Sequence, residues 1–217
     1  MSNQQKPAAG RTPAGVLIAI VAIVLPLVPL AFWLHGVIPM MPGPVQSASF
    51  GLYLLARAFA LVGFVLMFYQ FVLTSRLPFL ETALKRATML KRHRALGKTG
   101  FVLVLLHGVI LLSLDPSLYT PKTLGLIALI ILTVAVIAAW FFKPLKLKLK
   151  TWRAIHLAAY VVFPLVFYHA IALGSTVLGY RPVYWLFVVL FTGYVLIVLY
   201  RIYRLFTRKK PGTKPAT

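Results

Sequence analysis

The segment His93–His107 reads HRALGKTGFVLVLLH: a basic start, an unbroken apolar finish, and a histidine at each end. A second segment, His156–His169, reads HLAAYVVFPLVFYH and also carries a histidine at each end. A bilayer core requires about 20 apolar residues per spanning helix. Working outward from these two segments, six runs meet that length, roughly Ala14–His35, Gly51–Thr74, His93–Leu114, Thr123–Phe142, Trp152–Leu173 and Pro182–Tyr203. The expected fold is all-α, a polytopic membrane protein with a six-transmembrane-helix bundle. The second run contains Arg57, and the third has only 16 uncharged residues between Lys98 and Asp115, so its helix begins in basic sequence. The first run is too long for a signal peptide, and Pro39, Met40, Met41 and Pro42 follow it in place of a small-residue cleavage pattern. It is read as a retained helix.

Composition agrees with a membrane protein. Of 217 residues, 61% are hydrophobic and 12% charged, yet the net charge is +21, from 23 Lys and Arg against two acids, Glu81 and Asp115. A soluble domain covers itself with many charges of both signs. A nucleic-acid binder this basic would not dissolve with so much apolar sequence, and the same hydrophobicity excludes disorder. The cations sort by loop. Twenty of the 23 fall on one side, before the first span, in the 2–3 and 4–5 connections with the span ends that flank them, or from Arg201 to the end of the chain; Lys122 and Arg181 lie on the other side, and Arg57 lies inside span 2. By the positive-inside rule both termini face the cytoplasm, as expected for a multi-pass protein of a bacterial inner membrane. The expected organisation is a cytoplasmic N-terminal segment (1–13), the membrane domain (14–206) and a basic cytoplasmic tail (207–217). Pro78 and the cations after it suggest an interfacial amphipathic turn between spans 2 and 3. With no cysteine, disulfides, thiolate metal sites, iron–sulfur clusters and thioether-linked haem are all excluded.

Histidine is then the residue left to carry chemistry. Four of the five histidines fall in spans 3 and 5, which run in the same direction. The spacings of 14 and 13 residues correspond to about 21 Å and about 20 Å of helix axis. His93 and His156 should therefore be level near the cytoplasmic face, and His107 and His169 level near the outer face. That is the geometry of two stacked, bis-histidine b-type haems between spans 3 and 5, with His93, His156, His107 and His169 as iron ligands. Gly97, Gly100, Gly108, Ala154, Ala158 and Ala159 leave room for a disc. Arg92, Arg94, Lys98 and Arg153 are placed to meet carboxylates at the inner level. At the outer level Arg57, about 9 Å below the start of its helix, lacks an acidic partner in any span, and a haem propionate would supply one.

Blander readings stand beside these. Any one intramembrane histidine also suits a hydrogen-bonded packing role, and His93 alone suits a solvated interface position. Arg57 snorkelling to the outer surface is the alternative to cofactor binding. His35 has no histidine at its depth and is read as an interface residue, and Trp140, Phe141, Trp152, Tyr180, Tyr184 and Trp185 as belt anchors. One point is unresolved at this level: on a regular helix, residues 13 apart point about 140° away from each other. Pro164 lies between His156 and His169 and removes the hydrogen bond to the Tyr160 carbonyl, which offers a kink.

With these residues in view, the chain resembles the ferric reductase-like transmembrane domain family, which includes ferric reductases, NADPH oxidases and the haem subunit of bacterial methionine sulfoxide reductase systems. The resemblance covers spans 2–6 and rests on H-x13-H in span 3 with H-x12-H in span 5. It implies that His93 and His156 ligate an inner haem, and His107 and His169 an outer one. Larger relatives carry a flavin and nicotinamide domain. No G-x-G-x-x-G follows a strand here, so a separate donor is expected: a cytoplasmic flavin reductase or reduced flavin, with FMN or FAD belonging to the donor.

The function expected is transmembrane electron transfer through two haem b groups, from the cytoplasmic donor to an acceptor outside, such as a periplasmic reductase subunit, ferric iron or oxygen. The chain then acts as an oxidoreductase subunit with no catalytic side chain of its own. A nucleic-acid partner is not expected. The rival readings are a quinol-linked b-type cytochrome and a haemless transporter or assembly factor; the absence of acids within the spans speaks against the last.

Overall fold

The structure is a computed structural model and describes residues 13–41 and 47–207. Lys6 and Arg11 of the N-terminal segment, Pro42, and the tail from Arg208 to Lys214 lie outside the described residues. The elements are α1 (Pro13–Val37, continued by a 3-10 turn Ile38–Met40), α2 (Ala48–Thr74), α3 (Pro78–Ala83), α4 (Arg86–Leu114), α5 (Thr120–Trp140), α6 (Leu149–Leu157), α7 (Ala159–Leu173), α8 (Ser175–Gly179) and α9 (Arg181–Thr207). The described residues contain no strand. Six helical stretches are long and apolar enough to cross a membrane, α6 and α7 together making the fifth. This is a multi-pass membrane protein.

Local chemistry explains the helix ends. Ser47 caps α2, accepting the Phe50 N–H at 3.2 Å, and prolines occupy the first turns of α3 and α5, where a missing N–H costs nothing. The third span starts at Arg86, two turns before His93, so its cations are helical. The fourth starts at Thr120 and not Thr123, which puts Lys122 inside α5. The turn expected after Pro78 is the short helix α3, with Leu80 buried and Phe79 exposed.

The packing runs outside-in. Leu17, Ile23, Leu157, Val189 and Leu196 are all at least half exposed, as a lipid-facing surface requires. The core is built on α2, where Phe64 and Val65 are sealed. Phe64 stacks on Phe187 of α9 at 4.1 Å and on Phe163 of α7 at 4.8 Å, which locks three helices together. Glycines bring α2 and α4 close: a Cβ on Gly63 would come within 2.5 Å of Val104, and one on Gly100 within 3.2 Å of Leu66. As a result α4 lies along α2 and α7 lies along α5, while α4 and α7 hardly touch. A gap is left between α4 and the fifth span, which together carry both histidine pairs.

The fifth span is not one regular helix. The break falls at Ala158, between α6 and α7, and not at Pro164 itself. Ala158 N–H is shared between the carbonyls of Ala154 (3.3 Å) and Ile155 (3.1 Å), and Val161 N–H closes back on Ala158 O at 3.0 Å. These tightened turns end one helix and start the next. Pro164 cannot donate to the Tyr160 carbonyl; the Tyr194 hydroxyl, from α9, donates to it at 2.6 Å.

Candidate functional site

The histidines meet in the pairs that their spacing predicts. His93 of α4 and His156 of α6 have ring centroids 6.2 Å apart with planes at 75°. His107 of α4 and His169 of α7 repeat this at 6.2 Å and 80°. Each pair lines its own cavity in the gap, about 1180 Å³ at the inner pair and about 310 Å³ at the outer pair. The interruption at Ala158 lets two residues 13 apart each face α4.

At the outer pair, both rings are held by backbone carbonyls. His107 Nδ1 lies 3.0 Å from Ala56 O, and His169 Nδ1 lies 2.8 Å from Pro121 O. A carbonyl can only accept, so each Nδ1 carries the proton and each Nε2 keeps its lone pair. This is how metal-binding imidazoles are oriented. Gly125, which the sequence reading did not single out, makes the arrangement possible: a Cβ there would stand 2.5 Å from His169 Nδ1. Arg57 lines the same cavity, half-buried, with a guanidinium N–H donated to Thr176 Oγ1 at 3.0 Å and the Tyr53 ring at 5.5 Å. The structure therefore brings Arg57, His107 and His169 together. At the outer rim Lys122 Nζ bonds Asp115 Oδ2 at 2.9 Å and also donates to the Asp115 backbone carbonyl. Donation from the Ser117 hydroxyl, together with Lys122, holds the Asp115 carboxyl down at about 2.

The inner pair is built differently. The Nδ1 atoms of His93 and His156 are buried without a well-formed hydrogen bond, although the Gln70 backbone carbonyl faces His93. Trp152, expected as a belt anchor, stacks on the His156 ring at 5.3 Å and 13° and lines the inner cavity. Arg94, Lys98 and Arg153 line that cavity as expected, joined by Arg76, Arg86 and Arg201; Arg92 does not. Of the small residues expected to make room, Gly97, Gly100, Gly108 and Ala159 line a cavity, whereas Ala154 and Ala158 do not. His35 lies apart from both pairs, 3.2 Å from the Tyr180 hydroxyl, so Tyr180 is also more than a belt residue.

Two imidazoles bonded to one metal, at about 2.0 Å per bond, have ring centres about 6 Å apart. Both pairs match that separation. No group of three or more His, Cys, Asp or Glu gathers among the described residues. Each pair thus offers two imidazoles and, among the described residues, no third side-chain ligand of these types, a donor set that would suit a metal already held in a macrocycle.

A helical membrane bundle that sets paired histidines at two levels of one gap is the class of protein these features define. The chain belongs to the ferric reductase-like transmembrane component family, whose sequence model matches residues 59–167. The match takes in His93, His107 and His156 and stops two residues short of His169. No curated protein matches the chain.

Proposed function

We propose that this protein is a transmembrane electron conduit of a bacterial inner membrane, with haem b held by His93 and His156 near the cytoplasm and a second haem b held by His107 and His169 near the outer face. Haem iron, alternating between ferric and ferrous states, supplies the electron-carrying chemistry when bound. The observation that supports this most is the pairing itself: two histidine pairs at 6.2 Å, one to a cavity, between helices that hardly touch.

The side chains have distinct tasks. With haem bound, His93 and His156 at one level and His107 and His169 at the other would each supply two imidazoles, which would favour electron transfer without a bound substrate. The Ala56 and Pro121 carbonyls fix the tautomer of the outer pair. Arg57 offers its remaining donors to a carboxylate at the outer cavity. With both termini cytoplasmic, the inner cavity faces a reduced flavin or a flavin reductase. The acceptor then lies outside the cytoplasm: a periplasmic reductase, ferric iron or oxygen.

The decisive experiment is the absorption spectrum of protein purified after haem-replete expression. Soret and α bands of b type are expected, with two haems per chain by pyridine haemochrome. A spectrum without them removes the conduit reading. Reduction by flavin and by quinol, compared in vesicles, identifies the donor.

A further inference from the structure

Arg201 sits on α9, outside the residues that carry the family match, and in the sequence it counts as one more cytoplasmic cation. Its placement gives it a further role. The guanidinium lies 5.3 Å from the centre of the Tyr160 ring and donates to the Tyr160 hydroxyl. Both residues are half-buried and line the inner cavity with His93 and His156.

Among the described residues, no carboxylate pairs with Arg201. The only ion pair among the described residues joins Asp115 to Lys122, and these line the other cavity. Glu81 lines the inner cavity and, among the described residues, pairs with no cation within 4 Å. A guanidinium has five N–H donors in a planar fork suited to oxyanions, and the Tyr160 contact uses one. The Tyr160 hydroxyl, which accepts from Arg201, keeps its own proton to donate. Arg57 repeats the construction at the outer cavity, with one hydroxyl (Thr176), one tyrosine ring (Tyr53) and no carboxylate. A part-buried arginine in a span is costly without an anion. The protein places one beside each histidine pair.

We infer that Arg201 and Tyr160 form an oxyanion-binding pair of the inner cavity, by which α9 contributes to that site. The oxyanion is either a carboxylate of the macrocycle held by His93 and His156, a source that rests on the haem reading above, or the phosphate of a separate anion.

The test compares the full-length protein with its Arg201→Gln, Arg201→Lys and Tyr160→Phe variants. In a His107→Ala background, loaded with haem or with haem dimethyl ester, the readout is transfer to an apo-haem acceptor protein. Inorganic phosphate binding to the haem-free protein is measured by calorimetry. If the oxyanion is the macrocycle's carboxylate, Arg201→Gln and Tyr160→Phe release haem about tenfold faster, the scale of one lost charge-assisted hydrogen bond. With the dimethyl ester, wild type and variants release alike. If the source is a separate anion, haem release is unchanged and phosphate binding is lost in Arg201→Gln. Should Arg201→Gln not fold, Tyr160→Phe, which keeps the ring, and Arg201→Lys, which keeps the charge, decide the matter. Variants equal to wild type in both measurements overturn the inference. Protein that binds no haem at all defeats the haem reading alone, because the phosphate measurement still stands.

Discussion

The imidazoles of His107 and His169 face each other at 6.2 Å with their planes 80° apart, and each holds a backbone carbonyl through Nδ1. The carbonyls belong to different helices from the histidines, Ala56 on α2 and Pro121 on α5. Four helices therefore set the angle between two rings.

Near-perpendicular axial imidazoles give ferric haem a highly anisotropic low-spin signal. Since the inner pair stands at 75°, both sites should give this signal in electron paramagnetic resonance of the oxidised protein. A purely rhombic spectrum, typical of parallel rings, would contradict the ring geometry at both levels.

Removing one ligand should separate the sites. His107→Ala or His169→Ala should lower haem content from two to one per chain and leave the inner signal in place. Pyridine haemochrome quantitation reads this directly, and retention of both haems in either variant would rule out the assigned outer ligands.

Gly125→Ala keeps every ligand but puts a methyl 2.5 Å from His169 Nδ1. The ring must move off Pro121 O, so outer haem occupancy should fall. Gly51→Ala and Gly179→Ala, where a Cβ meets nothing within 4 Å, serve as controls. Equal haem content in all three would show that the Gly125 contact does not constrain the ring.

Tyr194→Phe strands the Tyr160 carbonyl that Pro164 cannot serve. The loss should be about 1 kcal/mol, the scale of a single interhelical hydrogen bond. In a Pro164→Ala background the helix can serve its own carbonyl, and the same substitution should cost less. A double-mutant cycle by denaturant titration measures the coupling; additive effects would break the proposed link.

Asp115 has its pKa lowered from 3.8 to about 2 by the Ser117 hydroxyl and Lys122. A depressed carboxyl contributes stability above its unfolded pKa and loses it as pH falls through the folded value. Wild-type stability should thus decline between pH 3.8 and about 2. Asp115→Asn should flatten that window in a pH series of melting temperatures.

The legible parts of this protein follow from quantities the chain fixes locally. A helix rises by a set amount per residue, so the spacings of 14 and 13 set His93 level with His156 and His107 level with His169. A lone cation in a span stands out in any reading, and Arg57 does line the outer cavity. The roles of Trp152 and Arg201 are less legible for the opposite reason. At span ends, belt residues and topology charges use the same residue types as a binding site, and only their neighbours tell them apart.

Six spans and two levels of histidine are written in the sequence alone, because hydropathy and helical rise are properties of consecutive residues. The tertiary structure decided what those residues meet. Gly125 against His169, Tyr194 on the carbonyl freed by Pro164, and the break at Ala158 that turns α7 relative to α6 all depend on which helices lie side by side. In lipid, that choice is made by close packing and by satisfying freed polar groups. No pattern along a single helix encodes it.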